Sequence, residues 1–349
     1  FLIQDGVHFA LQDGTNGLAE QLHLDNTTWR VVASDYPAEW ISFLKCLGVS
    51  SNMVAYRTNT TYKCAIGTPK TLLLNGVSLG SSADGQFLVT DWTVPELERV
   101  WQAISAATDR KERLKRIETL TNTVLEVLKE NTTALEANAT YTDTASHETK
   151  TVTFPSNVVA FLRTHKVFAW QEHLYTPSQT AIRCEENERL LGRAGPYAKS
   201  EIPERVAVAL GVAQTITVPF LADTLRRWSS TKQTAQQLTL EQMATVFKTL
   251  HDGMPQQDFA ELFVERQGVQ PCRILYRSTS KGHEVAKFCA ASSVFISETT
   301  GLAPSLDKCY PDDVLTILES AGVARQPTAE RYLASLEKLS GIPTADAAA

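Results

Sequence analysis

The sequence lacks the motifs that identify most nucleotide- and metal-dependent enzymes. It contains no phosphate-binding loop of the G-x-x-x-x-G-K-[ST] type, no G-x-G-x-x-G fingerprint and no H-E-x-x-H pair. Its six cysteines form no C-x-x-C pair, and the spacing of Cys272, His283, Cys289 and Cys309 matches no compact zinc module. We therefore expect no bound metal and no cofactor.

The chain also lacks a basic excess and a long apolar run. Its 33 Lys and Arg against 39 Asp and Glu give a net charge of −6, the wrong sign for a protein whose main partner is a polyanion. The basic run at residues 110–116 carries Glu112 and Leu114 at helical spacing, which indicates a solvated helix face. No uninterrupted apolar stretch reaches the roughly 18 residues of a transmembrane helix. Neither nucleic acid nor a membrane is therefore an expected partner.

Cysteines and asparagines point to different compartments. A chain of 349 residues can bury several cores without disulfides, so we expect free thiols and an intracellular location, cytoplasmic or nuclear. The alternative is a secreted glycoprotein, because N-x-T sequons occur at Asn26, Asn59, Asn131 and Asn138. The sequence begins with Phe1 and shows no basic segment ahead of an apolar one, so we expect a segment of a longer protein.

Hydrophobic periodicity predicts an α+β fold of two or three small mixed subdomains with repeated helix-pair units and short antiparallel sheets. Residues 1–90 alternate strand-like runs, such as 29–33 and 71–75, with turns. Residues 91–130 predict a helical hairpin or one kinked helix, with a break near Thr108 and Asp109. Residues 131–151 are polar and Thr-rich and are interpreted as a linker. Residues 152–341 form a second α+β region with two helix-pair units, and residues 342–349 form a tail.

One phrase occurs three times: an apolar helical stretch that ends in Gly-Val, at Gly48, Gly211 and Gly322. Each glycine is predicted to follow a helix C-terminus in the left-handed conformation, with the next valine folded back on the last turn. A helix with proline near its first turn follows the second and third copies, at Pro219 and Pro327. A repeated packing unit without a repeated polar signature favours a scaffold over a catalyst.

The sharpest catalytic motif is Gly76-Val-Ser78-Leu-Gly80, which matches the G-x-S-x-G elbow of serine hydrolases. That motif needs a helix after the serine, but residues 81–89 have the pattern of a turn followed by a strand, so a Gly-rich hairpin is the preferred interpretation. A hydrolase that uses Ser78 is the alternative. Its base would be one of the histidines near structured segments: His173, His251 or His283.

Several phrases occur in an order typical of one family. They are residues 40–49 (WISFLKCLGV), 91–98 (DWTVPELE), Gly195-Pro-Tyr-Ala198, the Gly211-Val212 unit with Leu225 and Trp228, residues 238–243, and the stretch from Tyr310 through Gly322 to residues 327–336 (PTAERYLASL). Together they resemble the region that follows the HSP90-like ATPase module in very large plant and protist proteins of the NO VEIN type, which are more distantly related to sacsin.

The resemblance implies a chaperone-like or developmental scaffold, in which this region is a connector or a client-contacting arm. It also implies that any ATPase lies elsewhere, because the family's Asp-x-Gly-x-Gly turn is missing: Asp84-Gly85-Gln86 and Asp252-Gly253-Met254 lack the second glycine. We therefore predict a non-catalytic scaffold or protein-interaction region of a large intracellular protein. Its expected partners are other domains of the same chain or client proteins.

Overall fold

A computed structural model describes residues 8–11, 29–32, 53, 55–64, 71–94, 97–198, 202–230, 232–266, 269–280, 283–297, 304–330 and 332–333. The fold is α+β, as the sequence predicts. The chain divides into two compact units. Unit 1 comprises Phe1–Ile182 and Tyr197–Gln214, and unit 2 comprises Arg183–Pro196 and Thr215–Ala349.

The described strands and helices are numbered here in chain order. The strands are β1 (His8–Leu11), β2 (Trp29–Val32), β3 (Tyr56–Lys63), β4 (Leu73–Leu74), β5 (Val77–Ser78), β6 (Gln86–Thr93), β7 (Glu136–Thr142), β8 (Thr149–Pro155), β9 (Phe168–Trp170), β10 (His173–Tyr175), β11 (Ile274–Ser280) and β12 (His283–Cys289). The helices are α1 (Leu97–Ser105), α2 (Arg110–Glu130), α3 (Asn157–Thr164), α4 (Glu185–Leu191), α5 (Glu204–Leu210), α6 (Val218–Ser229), α7 (Lys232–Gln237), α8 (Leu240–Gly253), α9 (Gln256–Glu261) and α10 (Asp312–Ser320). Short 3₁₀ helices lie at Thr132–Leu135, Pro177–Gln179, Gly192–Ala194 and Ala291–Ser293.

Unit 1 is built on an antiparallel sheet of four strands in the order β3-β6-β7-β8. Along β6, Phe87 and Val89 are buried while Gln86 and Leu88 are exposed, the alternation expected of a strand with one face on a core. The buried face packs on a small cluster: Leu79, Phe87, Val89, Ala137, Ala139, Tyr141 and Phe154. The opposite face, called the outer face below, lies on the other side of the sheet and carries the exposed residues of the central strands.

Helices α1 and α2 are inserted between β6 and β7. The break predicted near Thr108 and Asp109 is present, and it coincides with the N-cap of α2, where the Asp109 carboxylate accepts hydrogen bonds from the N–H groups of Lys111 (2.8 Å) and Glu112 (3.2 Å). Both helices contribute their apolar faces to the larger core of unit 1. That core contains Met53, Val94, Leu97, Val100, Ile104, Ile117, Leu120, Val124, Leu125, Leu128, Ala134, Leu135, Val158, Val159, Leu162, Val167, Phe168, Ala198, Val206, Ala207, Leu210 and Val212.

Residues 131–151 do not form a linker. They contain a 3₁₀ turn and two strands, β7 and part of β8, which continue the sheet begun by β3 and β6. The period of two was present in the sequence: Ala137, Ala139 and Tyr141 are buried, and the residues between them point outward. The linker prediction relied on the polar, Thr-rich composition of this segment. It was wrong because threonine is β-branched and favours strands. The expected division at this segment is therefore replaced by the two units above.

Unit 2 is mainly helical around α8, which packs against α4, α6, α9 and α10. The Phe247 ring centroid lies 5.9 Å from that of Tyr310 and 6.1 Å from that of Phe263. The Tyr310 hydroxyl donates to the Leu275 carbonyl at 2.7 Å, which ties the helical core to the hairpin of β11 and β12. The turn of this hairpin, residues 281–282, lies outside the described residues.

Helix α8 begins with a capping box, in the sequence Thr239-Leu-Glu-Gln242. The Gln242 N–H donates to Thr239 Oγ1 at 3.1 Å, and the Gln242 side chain accepts from the Thr239 N–H at 3.0 Å. The strands predicted at residues 29–33 and 71–75 correspond to β2 and β4. None of the described helices has the length and apolar character needed to cross a bilayer.

Candidate functional site

Ser78 lies in a tight hairpin, not at a strand-to-helix elbow. Strands β4 and β5 pair through Leu73–Ser78 and Leu74–Val77, and the two residues between them, Asn75 and Gly76, have φ of 48° and 81°. Two consecutive positive φ angles are the signature of a type I′ hairpin turn. The chain continues into strand β6, so no helix offers its amides to an oxyanion beside Ser78.

The second glycine of the motif serves the same hairpin. The backbone N–H of Gly80 donates to the Tyr141 hydroxyl at 3.1 Å, and a β-carbon at Gly80 would overlap that oxygen. Gly76 adopts the positive φ of the turn, and Gly80, which has no side chain, lets the Tyr141 hydroxyl approach the backbone closely. Together these two roles account for the spacing of the G-x-S-x-G match without catalysis.

The three candidate bases lie in other elements of the fold. Among the described residues of unit 1, no hydrogen bond joins Ser78 to a histidine. His173 stands opposite Trp170 in the hairpin of β9 and β10. His251 belongs to unit 2, where its ring lies edge-on to Phe259 at 5.5 Å, and His283 lies in β12. The geometry thus favours the hairpin interpretation over the hydrolase.

The cysteines that were considered as ligands are buried thiols. Cys272, Cys289 and Cys309 are free, and burial raises the pKa of each, to about 12 for Cys272. A protonated thiol is a poor nucleophile and a poor metal ligand. Within the described part of the chain, no three His, Cys, Asp or Glu side chains are grouped to hold a metal ion.

Asp91 is a buried carboxylate whose pKa is raised by burial. A raised pKa is a signal that sometimes marks an active site, but the surroundings of Asp91 are structural. Its Oδ1 accepts hydrogen bonds from the N–H of Trp92 at 2.6 Å and from the N–H of Asn157, the first residue of α3, at 3.0 Å. Asp91 therefore anchors the start of α3 to the end of β6.

Gly211 and Gly322 follow α5 and α10 in the left-handed conformation, with φ of 80° and 92°. In both places the N–H of the following valine donates to the carbonyl five residues earlier, at 2.9 and 3.1 Å, and the glycine N–H donates to the carbonyl three residues earlier, at 3.0 Å in each. This is the Schellman arrangement. Val212 and Val323 are 3% and 2% exposed. The third glycine, Gly48, lies outside the described residues.

The similarity extends well before each glycine. Both copies begin with an antiparallel hairpin, β9–β10 or β11–β12, which is followed by a 3₁₀ turn. One residue after this turn forms parallel β-bridges with two later residues. The first of these two residues precedes the helix that ends in Gly-Val (α5 or α10), and the second directly follows Gly-Val. We call this arrangement the Gly-Val module; its described elements lie at residues 168–182, 197–198 and 202–213 in unit 1 and at residues 274–280, 283–297 and 304–324 in unit 2. The parallel pairs are Ala181–Tyr197 and Ala181–Ala213 in the first copy, and Phe295–Ser305 and Phe295–Ala324 in the second.

The outer face of the sheet is a polar surface that the sequence did not reveal. Its middle row crosses all four strands at Asn59, Thr90, Asn138 and Thr153. Thr90 donates to Asn59 and Thr153 donates to Asn138, both at 2.8 Å. The available signal was Asn and Thr at alternate positions of β3 and β7 and Thr at alternate positions of β8, and the interpretation of residues 131–151 as a linker hid the part in β7 and β8.

No known family model, curated protein or solved structure matches this chain.

Proposed function

We propose that this chain is a non-catalytic protein-interaction region, a scaffold segment of a large chaperone-like protein. The observation that carries the proposal is the Gly-Val module, which occurs once in each unit with the same order of hairpin, turn, parallel pairs and capped helix. Reuse of one packing unit is how many scaffold proteins enlarge a binding surface. The two copies share backbone arrangement but no polar side-chain signature, as expected for packing units.

The resemblance to NO VEIN-type proteins supports a more specific form of the proposal. In that form the chain lies outside the family's ATPase module and acts as a connector or as an arm that contacts clients or other domains of the same protein. The residues that carry the resemblance include Gly211 and Gly322, which both have the backbone conformation that the repeated phrase predicts.

We further propose that the chain works inside the cell, in the cytoplasm or nucleus. The described cysteines, Cys64, Cys184, Cys272, Cys289 and Cys309, are all free thiols, the usual state in a reducing compartment.

A secreted glycoprotein is the second candidate, because the sequon residues Asn59 and Asn138 are both exposed on the outer face. Mass measurement after expression in a secretory host tests it: unmodified Asn59 and Asn138 would remove its support.

Two measurements test the scaffold proposal. In the first, a chemically unfolded substrate protein is diluted into buffer without nucleotide, and light scattering is followed. We expect this chain to suppress scattering in proportion to its concentration, whereas serum albumin at the same concentration does not. Scattering that the chain leaves unchanged would contradict the chaperone-like function.

The second measurement is calorimetric titration with ATP and Mg²⁺. We expect no saturable heat, because the family's ATP site would lie elsewhere in the full-length protein. Saturable binding would contradict the assignment of this chain to a region outside the ATPase.

A further inference from the structure

An open groove of about 430 Å³ runs along one end of the outer face of unit 1. Its floor is formed by strands β3, β6 and β7, and its walls by the 3₁₀ turn before β7 and by helix α5. The lining residues are Arg57, Thr90, Trp92, Thr132, Thr133, Glu136, Asn138 and Arg205.

The packing of unit 1 holds Arg57 on the floor of this groove, on strand β3, and Arg205 on its wall, on helix α5. Arg57 stands directly opposite Trp92 in the pairing of β3 with β6. Arg205 lies on α5 next to Val206, which is fully buried in the core of unit 1. The 3₁₀ turn packs against α5 through the same core, which includes Ala134 and Leu135. Elements that are nearly 150 residues apart in sequence therefore line a single groove.

Both guanidinium groups are available to a ligand. The side chains of Arg57 and Arg205 are exposed, and neither guanidinium group forms an ion pair or a hydrogen bond with another residue that the structure describes. Elsewhere the described arginines are commonly paired, as in Arg183–Glu188 and Arg325–Glu319. An arginine presents a planar fork of donors that fits a carboxylate or a phosphate, so two unpaired forks on one groove indicate an anionic ligand.

The remaining lining suits a peptide better than a nucleic acid. Trp92 offers a partly exposed ring for an apolar side chain, and the exposed hydroxyl of Thr132 lies in the same groove, whereas the Thr133 hydroxyl donates to Asn131 Oδ1. The carboxylate of Glu136 lies in the same groove and would repel a continuous phosphate backbone. A polynucleotide needs a row of basic residues, whereas an acidic peptide can place single carboxylates or phosphates on the two arginines and avoid Glu136.

We propose that this groove binds an acidic peptide segment of a partner protein, with its carboxylate or phosphate groups held by Arg57 and Arg205 and an apolar side chain on Trp92. The proposal rests on the interaction function proposed above and names the chemistry of one partner.

The test is fluorescence anisotropy on the whole chain at low salt with labelled probes: a Glu-rich octapeptide containing one Leu, the same peptide with two Glu replaced by phosphoserine, its Gln-for-Glu counterpart, and a ten-nucleotide RNA. We expect both anionic peptides to bind, the Gln peptide not to bind, and affinity to fall as salt rises. Comparison of the first two peptides distinguishes carboxylate from phosphate as the preferred anion. Tighter binding of RNA than of either peptide would overturn the proposal.

Variants localise the binding. Arg57→Gln and Arg205→Gln should each weaken the peptide by about fivefold or more, while Glu136→Gln should strengthen it by about twofold. Lys63→Gln is the matched control, because Lys63 lies on the same strand and face as Arg57 but about 20 Å away. Thermal melts of each variant confirm folding.

Two results would contradict the site. One is equal weakening by Lys63→Gln and Arg57→Gln, which would indicate diffuse charge attraction. The other is the absence of peptide binding at millimolar concentration. Either result would leave the light-scattering test of the scaffold function unaffected, since that test measures unfolded clients and not this groove.

Discussion

The backbone N–H of Gly80 and the hydroxyl of Tyr141 are joined by a hydrogen bond of 3.1 Å that connects the hairpin of Ser78 to strand β7. The two residues are 61 positions apart, and helices α1 and α2 lie between them in the sequence. The ring of Tyr141 also packs against Phe87 at a centroid distance of 5.0 Å. The hairpin that resembles a catalytic elbow is therefore part of the core of the sheet.

This contact predicts strong coupling between Gly80 and Tyr141. Tyr141→Phe should lower the free energy of unfolding by about 1 kcal/mol, because the Gly80 N–H loses its acceptor. Gly80→Ala should cost more, since the new methyl group overlaps the hydroxyl. The double variant should be less destabilised than the sum of the two, which urea denaturation of the four proteins measures. Tyr62→Phe, at an exposed edge position, is the control and should change nothing.

The Schellman glycines provide a second prediction. A β-carbon at Gly211 or Gly322 would meet no atom within 4 Å, so the cost of Gly→Ala is backbone strain alone, about 1 kcal/mol at each site. Gly322→Val should cost more, because a β-branched residue tolerates positive φ poorly. Gly322→Asn is the control and should be nearly neutral, since asparagine adopts this conformation readily. If denaturant melts showed the same loss of stability for Gly322→Ala and Gly322→Asn, strain of the left-handed backbone would not explain the loss.

Acid sensitivity follows from Asp143 and Lys150 at the connection between β7 and β8. The hydrogen bond from Lys150, followed by those from Ser146, lowers the pKa of Asp143 from 3.8 to about 2. A lowered native pKa means that the unfolded chain takes up the proton first, so this contribution is present above pH 4 and is lost as the pH falls toward 2.

Lys150→Met should therefore reduce stability above pH 4 and flatten its decline between pH 4 and 2, as followed by denaturation at several pH values. Lys129→Met is the matched control. It removes a solvent-exposed pair with Glu126 within helix α2 and should leave the acid profile unchanged.

The capping box of α8 predicts that Thr239→Ala lowers the free energy of unfolding by about 1 kcal/mol, because the backbone N–H of Gln242 loses its acceptor, the Thr239 hydroxyl. Thr245→Ala is the control in the same helix. Thr245 is exposed and its hydroxyl bonds only to the carbonyl of Glu241, so alanine should be neutral or slightly stabilising there. If thermal melts gave the same loss for both variants, the cap would not be responsible.

Local signals were the ones that could be predicted from the sequence. The cap at Thr239, the break at Asp109, the left-handed Gly211 and Gly322, and the hairpin at Ser78 each depend on a few neighbouring residues whose backbone preferences are strong. The α+β class follows from the same local periods. These features were determined by the sequence because short-range sterics and hydrogen bonding decide them without the rest of the chain.

Long-range pairing was decided only by the tertiary structure. Nothing local indicates that Ala181 pairs with both Tyr197 and Ala213, that β7 joins β6 across two inserted helices, or that Arg57 and Arg205 line one groove. In each case the partners come together because burying a shared apolar core outweighs the entropy of closing a long loop. The polar Thr-rich strands at residues 136–155 became sheet for the same reason: Ala137, Ala139 and Tyr141 contribute to a core whose other half is supplied by distant residues.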